Sequence, residues 1–138
     1  MNRVAVVFWS GTGNTEAMAG AVARGSSGTL FTASEFDAGK VSEYHAIAFG
    51  CPSMGAEQLE DSEFEPMFEA CKLQLKGKWI ALFGSYGWGD GEWMRNWEAD
   101  CDAIGADRIG ESVICLETPD DAALADCEAL GRALAEAQ

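Results

Sequence analysis

Cations, imidazoles and prolines are all scarce in this chain of 138 residues, and each scarcity removes a class of function. Nine Lys and Arg stand against twenty-three Asp and Glu, giving a formal charge of −14. So acidic a surface repels phosphate backbones and anionic headgroups, which sets nucleic acid and membranes aside and favours basic protein partners. With a single histidine, His45, no histidine-rich metal centre is available; its position in the polar lead-in to an apolar run marks a surface or strand-start residue. The five cysteines, Cys51, Cys71, Cys101, Cys115 and Cys127, contain no CxxC and lie too far apart to suggest zinc, an iron–sulfur cluster or a redox disulfide. They read as reduced core residues of a cytoplasmic protein. The apolar stretch from Val4 to Trp9 stops at Ser10-Gly11, too short for a signal-peptide core or a membrane span.

What is present is an alternation. At 48% hydrophobic and 23% charged residues the composition is that of a globular protein, not a disordered one, and the length suits a single domain over 1–138. Apolar runs at Arg3 to Phe8, Leu30 to Ala33, Ala46 to Gly50, Trp79 to Gly84 and Val113 to Leu116 predict five strands. Several are apolar at consecutive positions, the pattern of strands buried on both faces in a parallel sheet. Between them, helical spacing runs over Asn14 to Arg24, Phe64 to Leu75, Trp93 to Ile104 and Asp120 to Ala135. In the last of these Thr118 is expected as the cap and Pro119 at the first helical position, with Leu124, Cys127, Leu130 and Leu134 forming one buried stripe. Strands alternating with helices imply an open α/β sandwich, which binds ligands at the carboxyl ends of its strands.

The residues that follow the strands carry the chemistry. After the first comes Trp9-Ser10-Gly11-Thr12-Gly13-Asn14-Thr15, in which glycines permit a tight turn, hydroxyls add donors and a helix amino terminus adds positive potential. This is a phosphate cradle without the Lys of a Walker A loop and without the third glycine of the dinucleotide fingerprint. A cradle that holds its guest by hydrogen bonds alone suits a terminal phosphate monoester. After the third strand comes Gly50-Cys51-Pro52-Ser53-Met54-Gly55-Ala56-Glu57, and after the fourth Gly84-Ser85-Tyr86-Gly87-Trp88-Gly89-Asp90-Gly91. Tyr86 and Trp88 among glycines suggest stacking on a flat ring, with Met54 as the opposite wall. Trp79, Trp93 and Trp97 are expected in the core. Cys51 lacks the Arg six residues on that a phosphatase nucleophile requires, since Glu57 is there.

The segments WSGTGNTE, GCPSMG, LEDSEFEP and LFGSYGWGDGEWM together resemble the flavodoxins, specifically the short-chain, clostridial-type group, and the resemblance spans essentially the whole chain. It implies a flavodoxin-like three-layer sandwich with a five-stranded parallel sheet in the order 2-1-3-4-5. It further implies non-covalent FMN and low-potential one-electron transfer between redox proteins, with no catalytic residues and no metal. By resemblance, Ser10, Gly11, Thr12, Gly13, Asn14 and Thr15 hold the phosphate, Trp88 stacks on one face of the flavin ring and Met54 covers the other. Glu57 meets the pyrimidine edge, which Ser85, Tyr86, Gly87, Trp88 and Gly89 line with backbone donors; Ser53 and Ala56 complete the second loop. Gly55 carries the peptide that turns over when the first electron arrives. Ala56 departs from the Asp or Ser of many relatives, and the Gly- and Ser-rich stretch from Gly25 to Lys40 is compressed.

The partners expected are donor and acceptor oxidoreductases with basic docking faces, and the chain is expected to be a monomer. Glu57, Glu60, Asp61, Glu63 and Glu65 are read as an acidic, solvated helix entry that also serves as a docking rim beside the flavin, with Asp90. The alternative reading is a flavoprotein module or small FMN-dependent reductase dedicated to a single partner enzyme.

Overall fold

Strand β1 (Val4–Phe8) is buried at every position because helices cover both faces of the sheet in which it lies. Ala5 and Val7 point to one side with Ile47, Phe49, Ile80 and Leu82, while Val4, Val6 and Phe8 point to the other with Ala46, Ala48, Ala81 and Phe83. The period of two therefore survives inside an unbroken apolar run. The computed structural model describes residues 3–138.

The elements follow in the order β1, α1 (Asn14–Ser26), β2 (Thr29–Thr32), two 3₁₀ segments (Ala33–Glu35 and Ala38–Glu43), β3 (Ala46–Gly50), α2 (Phe64–Lys72), β4 (Trp79–Tyr86), α3 (Glu92–Ala103), β5 (Asp107–Arg108), β6 (Val113–Leu116) and α4 (Asp121–Glu136). All ladders are parallel and the order is β2-β1-β3-β4, with β5 and β6 sharing the last position against β4. The flavodoxin-like topology expected from the sequence is thus present. Its fifth strand is split: Asp107 and Arg108 pair with Trp79 and Ile80, and pairing resumes only where Val113 meets Phe83. Gly110, at φ +66°, lies in the interruption.

The two cores differ in kind. On one face α2 and α3 bring Phe64, Phe68, Trp93 and Trp97 over the sheet, with Phe64 and Phe68 each edge-on to Trp97. On the other, α1 and α4 contribute small residues, and a side chain on Gly131 would collide with the carbonyl of Val22, as one on Gly25 would with that of Glu128. Those two glycines let the helices cross backbone to backbone.

Three local expectations are corrected. Helix α4 is capped by Asp120, whose carboxylate accepts the Ala123 amide at 2.8 Å, while Thr118 and Pro119 precede the cap. Strand β2 begins at Thr29, and Ala33 opens a 3₁₀ segment in which the Glu35 side chain accepts the Thr32 amide. Helix α2 ends at Lys72. Cys51, Cys71, Cys101 and Cys127 are buried as expected, Cys115 is only half-buried, and all five are free thiols. His45 sits just ahead of β3, half-buried, its Nε2 2.6 Å from the Ala137 carbonyl.

Candidate cofactor site

In a sheet of order 2-1-3, the chain leaves β1 for β2 on one side and returns to β3 on the other, so the loops at the carboxyl ends of β1 and β3 diverge and open a crevice. A cavity of about 420 Å³ occupies that crevice, and the loops after β1, β3, β4 and β6 all line it.

The first loop supplies Ser10, Gly11, Thr12, Asn14 and Thr15. Ser10 Oγ accepts the amides of Gly13 at 3.1 Å and Glu16 at 3.3 Å, closing the turn against the start of α1. Gly13, at φ +97°, is the residue from which the helix departs, and its carbonyl takes the Ala17 amide. Among the described residues, the amides of Gly11, Thr12 and Thr15 meet no acceptor, so donors remain at the positive end of the helix. Thr15 itself is buried, its hydroxyl joined to Ser85.

The second loop supplies Pro52, Ser53 and Met54. Ser53 is tied to β4 by its amide, 3.0 Å from the Ser85 carbonyl, while its hydroxyl is buried without a hydrogen-bond partner. Met54 and Gln58 exchange both backbone hydrogen bonds at 2.8 Å, pinching Gly55, Ala56 and Glu57 into a tight turn with Gly55 at φ +52°. A Cβ on Gly55 would meet nothing within 4 Å, so glycine is wanted there for its backbone and not for space.

The end of β4 and the residue after it supply Ser85, Tyr86 and Gly87, and the segment after β6 supplies Glu117 and Thr118. Tyr86 closes β4 and packs on Trp93 with ring centroids 5.4 Å apart, so strand packing explains part of what the sequence assigned to ligand stacking. Trp88 lies beyond the lining and is 56% exposed; Met54, in the lining, is 37% exposed. Gly13, Gly55, Ala56, Glu57 and Gly89 are likewise outside the lining, although Gly55 borders a smaller adjoining cavity with Trp9 and Met54. The Glu57 carboxylate turns away to accept the Glu92 amide at 3.0 Å, close against Gly89.

Trp9, Pro52, Glu117 and Thr118 line the cavity but were not among the expected site residues. The sequence held a signal for the last two, since they follow an apolar run and every strand of this fold ends on the ligand side. Neither Lys nor Arg lines the cavity.

The acidic stretch is less solvated than expected. Glu60 is 5% exposed and accepts the amides of Ser62, Glu63 and Phe64, each at 2.8 Å, together with the Ser62 hydroxyl. Burial opposes the charge, but these hydrogen bonds outweigh it and hold the carboxyl below the usual glutamate range. Glu63 accepts the Trp9 indole N–H at 3.0 Å, and Asp90 pairs with Arg95 at 3.0 Å. Of the six acids expected at the rim, the carboxylates of Asp61 and Glu65 have neither a hydrogen bond nor an ion pair among the described residues. The carboxylates of Glu57, Asp90 and Glu92 approach within 4.8 Å of one another. Burial, reinforced by Glu60 and Glu65, pushes the Cys51 thiol up to about 12, which agrees with the sequence-based rejection of a nucleophilic role.

A doubly wound parallel sheet of order 2-1-3-4-5 with a crevice at its switch point is the flavodoxin-like, nucleotide-binding class of α/β fold. The flavodoxin family profile matches residues 6–131. The chain is 44% identical to the flavodoxin of Megasphaera elsdenii over 139 aligned positions, covering 97% of this chain and 99% of that one. It is 41% identical to the flavodoxin of Clostridium beijerinckii, over 94% of this chain and 97% of that one. The solution structure of two-electron reduced M. elsdenii flavodoxin superposes with a TM-score of 0.89 at 42% identity, over 97% of this chain and 99% of its own. The chain belongs to the flavodoxin family, in its short-chain group. Flavodoxins bind FMN and transfer electrons; they are not enzymes.

Proposed function

We propose that the chain is a free-standing, low-potential carrier that holds one FMN non-covalently in this cavity and passes single electrons between oxidoreductases. The observation that carries the assignment is the cavity's polar lining: unpaired amides at the first turn of α1 and an unpartnered buried hydroxyl on Ser53, with no cation among the lining residues. A buried hydroxyl without a partner is uncommon in folded proteins, and a polar ring edge would satisfy Ser53 while a phosphate would take up the exposed free amides of the first loop.

In this reading Ser10, Gly11, Thr12, Gly13, Asn14 and Thr15 hold the phosphate, and Ser53, Ala56, Glu57 and the backbone from Ser85 to Gly89 meet the ring edge. With the Glu57 carboxylate already engaged by Glu92, its share falls to the backbone. Met54 and Trp88, exposed on neighbouring loops, enclose the ring between them. The bound flavin supplies the redox chemistry. The chain supplies an acidic field without a neighbouring cation, which disfavours added negative charge and lowers the potential. Gly55, already in left-handed backbone that glycine adopts at least cost, would let its peptide rotate and offer a carbonyl to the bound ring.

The chain acts as a single unit over 1–138, as a cytoplasmic monomer whose partners dock through basic faces. Among the described residues, no helix is long and apolar enough to cross a membrane. With Met54 and Trp88 enclosing the ring, no open face is left for a nicotinamide, so no steady turnover is expected with NADH or NADPH alone.

Titration of the apoprotein with FMN, riboflavin and FAD tests the assignment. FMN is expected to bind at least about a hundredfold more tightly than riboflavin, from the several charge-assisted hydrogen bonds its phosphate gains. FAD binding as tightly as FMN would overturn the terminal-phosphate cradle.

A further inference from the structure

The side chain of Trp9, the first residue after β1, is held at both of its ends. Its indole N–H donates to the Glu63 carboxylate at 3.0 Å, across 54 positions of sequence. Its far edge, Cη2 and Cζ3 of the six-membered ring, lies against Gly11, where an added Cβ would come within 3.1 Å of it. Gly11 does not have a positive φ, so glycine is wanted here for space, the reverse of Gly55.

The two ends belong to different parts of the molecule. Gly11 lies in the loop whose amides at Gly11 and Thr12 are free. Glu63 stands immediately before α2 and outside the lining of the cofactor cavity, and its carboxylate does not cap the helix it precedes. Its backbone is nonetheless fixed, because its amide donates to the Glu60 carboxylate at 2.8 Å and its carbonyl accepts the Met67 amide at 3.4 Å. Glu63 therefore reaches Trp9 from a firm support, and Trp9 transmits that support to the anion loop.

Trp9 lines the cofactor cavity and two smaller ones beside it, of about 270 and 250 Å³. A side chain with empty space beside it has fewer neighbours to fix its ring, and the second torsion of tryptophan is broad, so the bond at Nε1 decides where the ring lies. An indole can only donate and a carboxylate only accept, which makes this a charge-assisted bond with one sense. Without it the ring is free to swing from Gly11, and the loop must then be ordered by the incoming phosphate at a cost in affinity.

We propose that Glu63 is a positioning residue for the anion loop: through the Trp9 indole it holds Gly11 and the free amides beside it in the arrangement that receives the phosphate of FMN. The inference rests on the proposed function and deepens it. Charge alone predicts the opposite effect, since removing an acid near the loop would favour a phosphate. The sign of the change in affinity therefore separates positioning from electrostatics.

Glu63→Ala removes the acceptor and the charge, Glu63→Gln removes the charge and keeps an oxygen that accepts the indole N–H, and Trp9→Phe removes the donor. For each apoprotein the dissociation constants of FMN and riboflavin, urea unfolding and the indole N–H signals in the proton NMR spectrum are measured. Glu63→Ala is expected to weaken FMN about three- to tenfold and to leave riboflavin within about twofold of the parent, because riboflavin has no phosphate to place. The Trp9 indole N–H should exchange with water faster in Glu63→Ala than in the parent. Glu63→Gln should restore both the slow exchange and an FMN affinity at least equal to that of the parent. In the Trp9→Phe background, Glu63→Ala should weaken FMN no further. FMN affinity unchanged or raised in Glu63→Ala overturns the proposal, as do equal losses for FMN and riboflavin. A parent that binds riboflavin as tightly as FMN overturns the phosphate cradle itself, and the role of Glu63 with it.

Discussion

Thr15 and Ser85, 70 residues apart in the chain, join their hydroxyls in a 3.0 Å hydrogen bond, and the Thr15 hydroxyl also accepts the Ser85 amide at 3.3 Å. Both residues are buried, so this pair fixes the first loop of the cavity against the end of β4. Thr15→Val keeps the shape and strands two polar groups on Ser85, which should destabilise the apoprotein by about 1–3 kcal/mol. Ser85→Ala should add less on top of Thr15→Val than it takes from the parent, because the bonds it would break are already gone. Strictly additive losses in urea denaturation would mean that the pair is not coupled.

Trp88 is expected to exchange solvent for the flavin ring. FMN binding should therefore quench tryptophan fluorescence, and Trp88→Ala should remove much of that quenching while weakening FMN by about tenfold, the scale of one aromatic contact in a binding site. Because the side chain is 56% exposed and outside the cavity lining, apoprotein stability should hardly change. Unaltered quenching and affinity in this variant would place the ring elsewhere.

Glu60 should give the protein an acid limb. Its folded carboxyl titrates below the usual glutamate range of about 4.3, so its stabilising contribution is fully present above that value and is lost as pH falls through the lower, folded value. Glu60→Gln should cost about 1–3 kcal/mol at pH 7 and flatten the loss of stability between roughly pH 4.5 and the folded value. Chemical denaturation at a series of pH values measures both, and parallel curves for the two proteins would show that Glu60 does not supply the dependence.

Steering of partners should depend on the carboxylates of the acidic stretch that remain unpaired, Asp61 and Glu65. Electron transfer to a basic acceptor is expected to slow several-fold between about 0.01 and 0.3 M salt, with FMN affinity changing little. Asp61→Asn with Glu65→Gln should flatten that dependence more than Asp121→Asn with Asp126→Asn on α4. Glu60 and Glu63 are poor test positions because the first holds the start of α2 and the second holds Trp9. Equal effects from the two pairs in stopped-flow measurements would mean that net charge acts alone.

Much of this was written in local pattern. The consecutive apolar residues of β1 and β3 required helices on both faces of a sheet, and the glycines and hydroxyls after β1 required a tight turn into a helix amino terminus; neither inference needs a distant contact. The same locality explains the errors. Thr118-Pro119 carries the signature of a cap and first turn, yet Asp120 does the capping, and Thr118 lines the cavity where the end of β6 lies beside Tyr86. The fifth strand looked single because Asp107-Arg108 has no apolar signal; it pairs only because Trp79 and Ile80 are alongside.

The sequence by itself determined the alternation, the sidedness of each strand and the first loop, since these follow from backbone periodicity and the chemistry of neighbouring residues. Tertiary structure alone decided which polar groups are already engaged. Glu57 and Glu63 appear in sequence as free acids, but folding brings the first to the Glu92 amide and the second to the Trp9 indole. Glu117 appears as one more acid in a chain of net charge −14, and only the fold sets it in left-handed backbone on the wall of the cavity. A hydrogen bond depends on where two groups lie in space, and for residues tens of positions apart that is fixed by the packing of helices on the sheet and not by their separation along the chain.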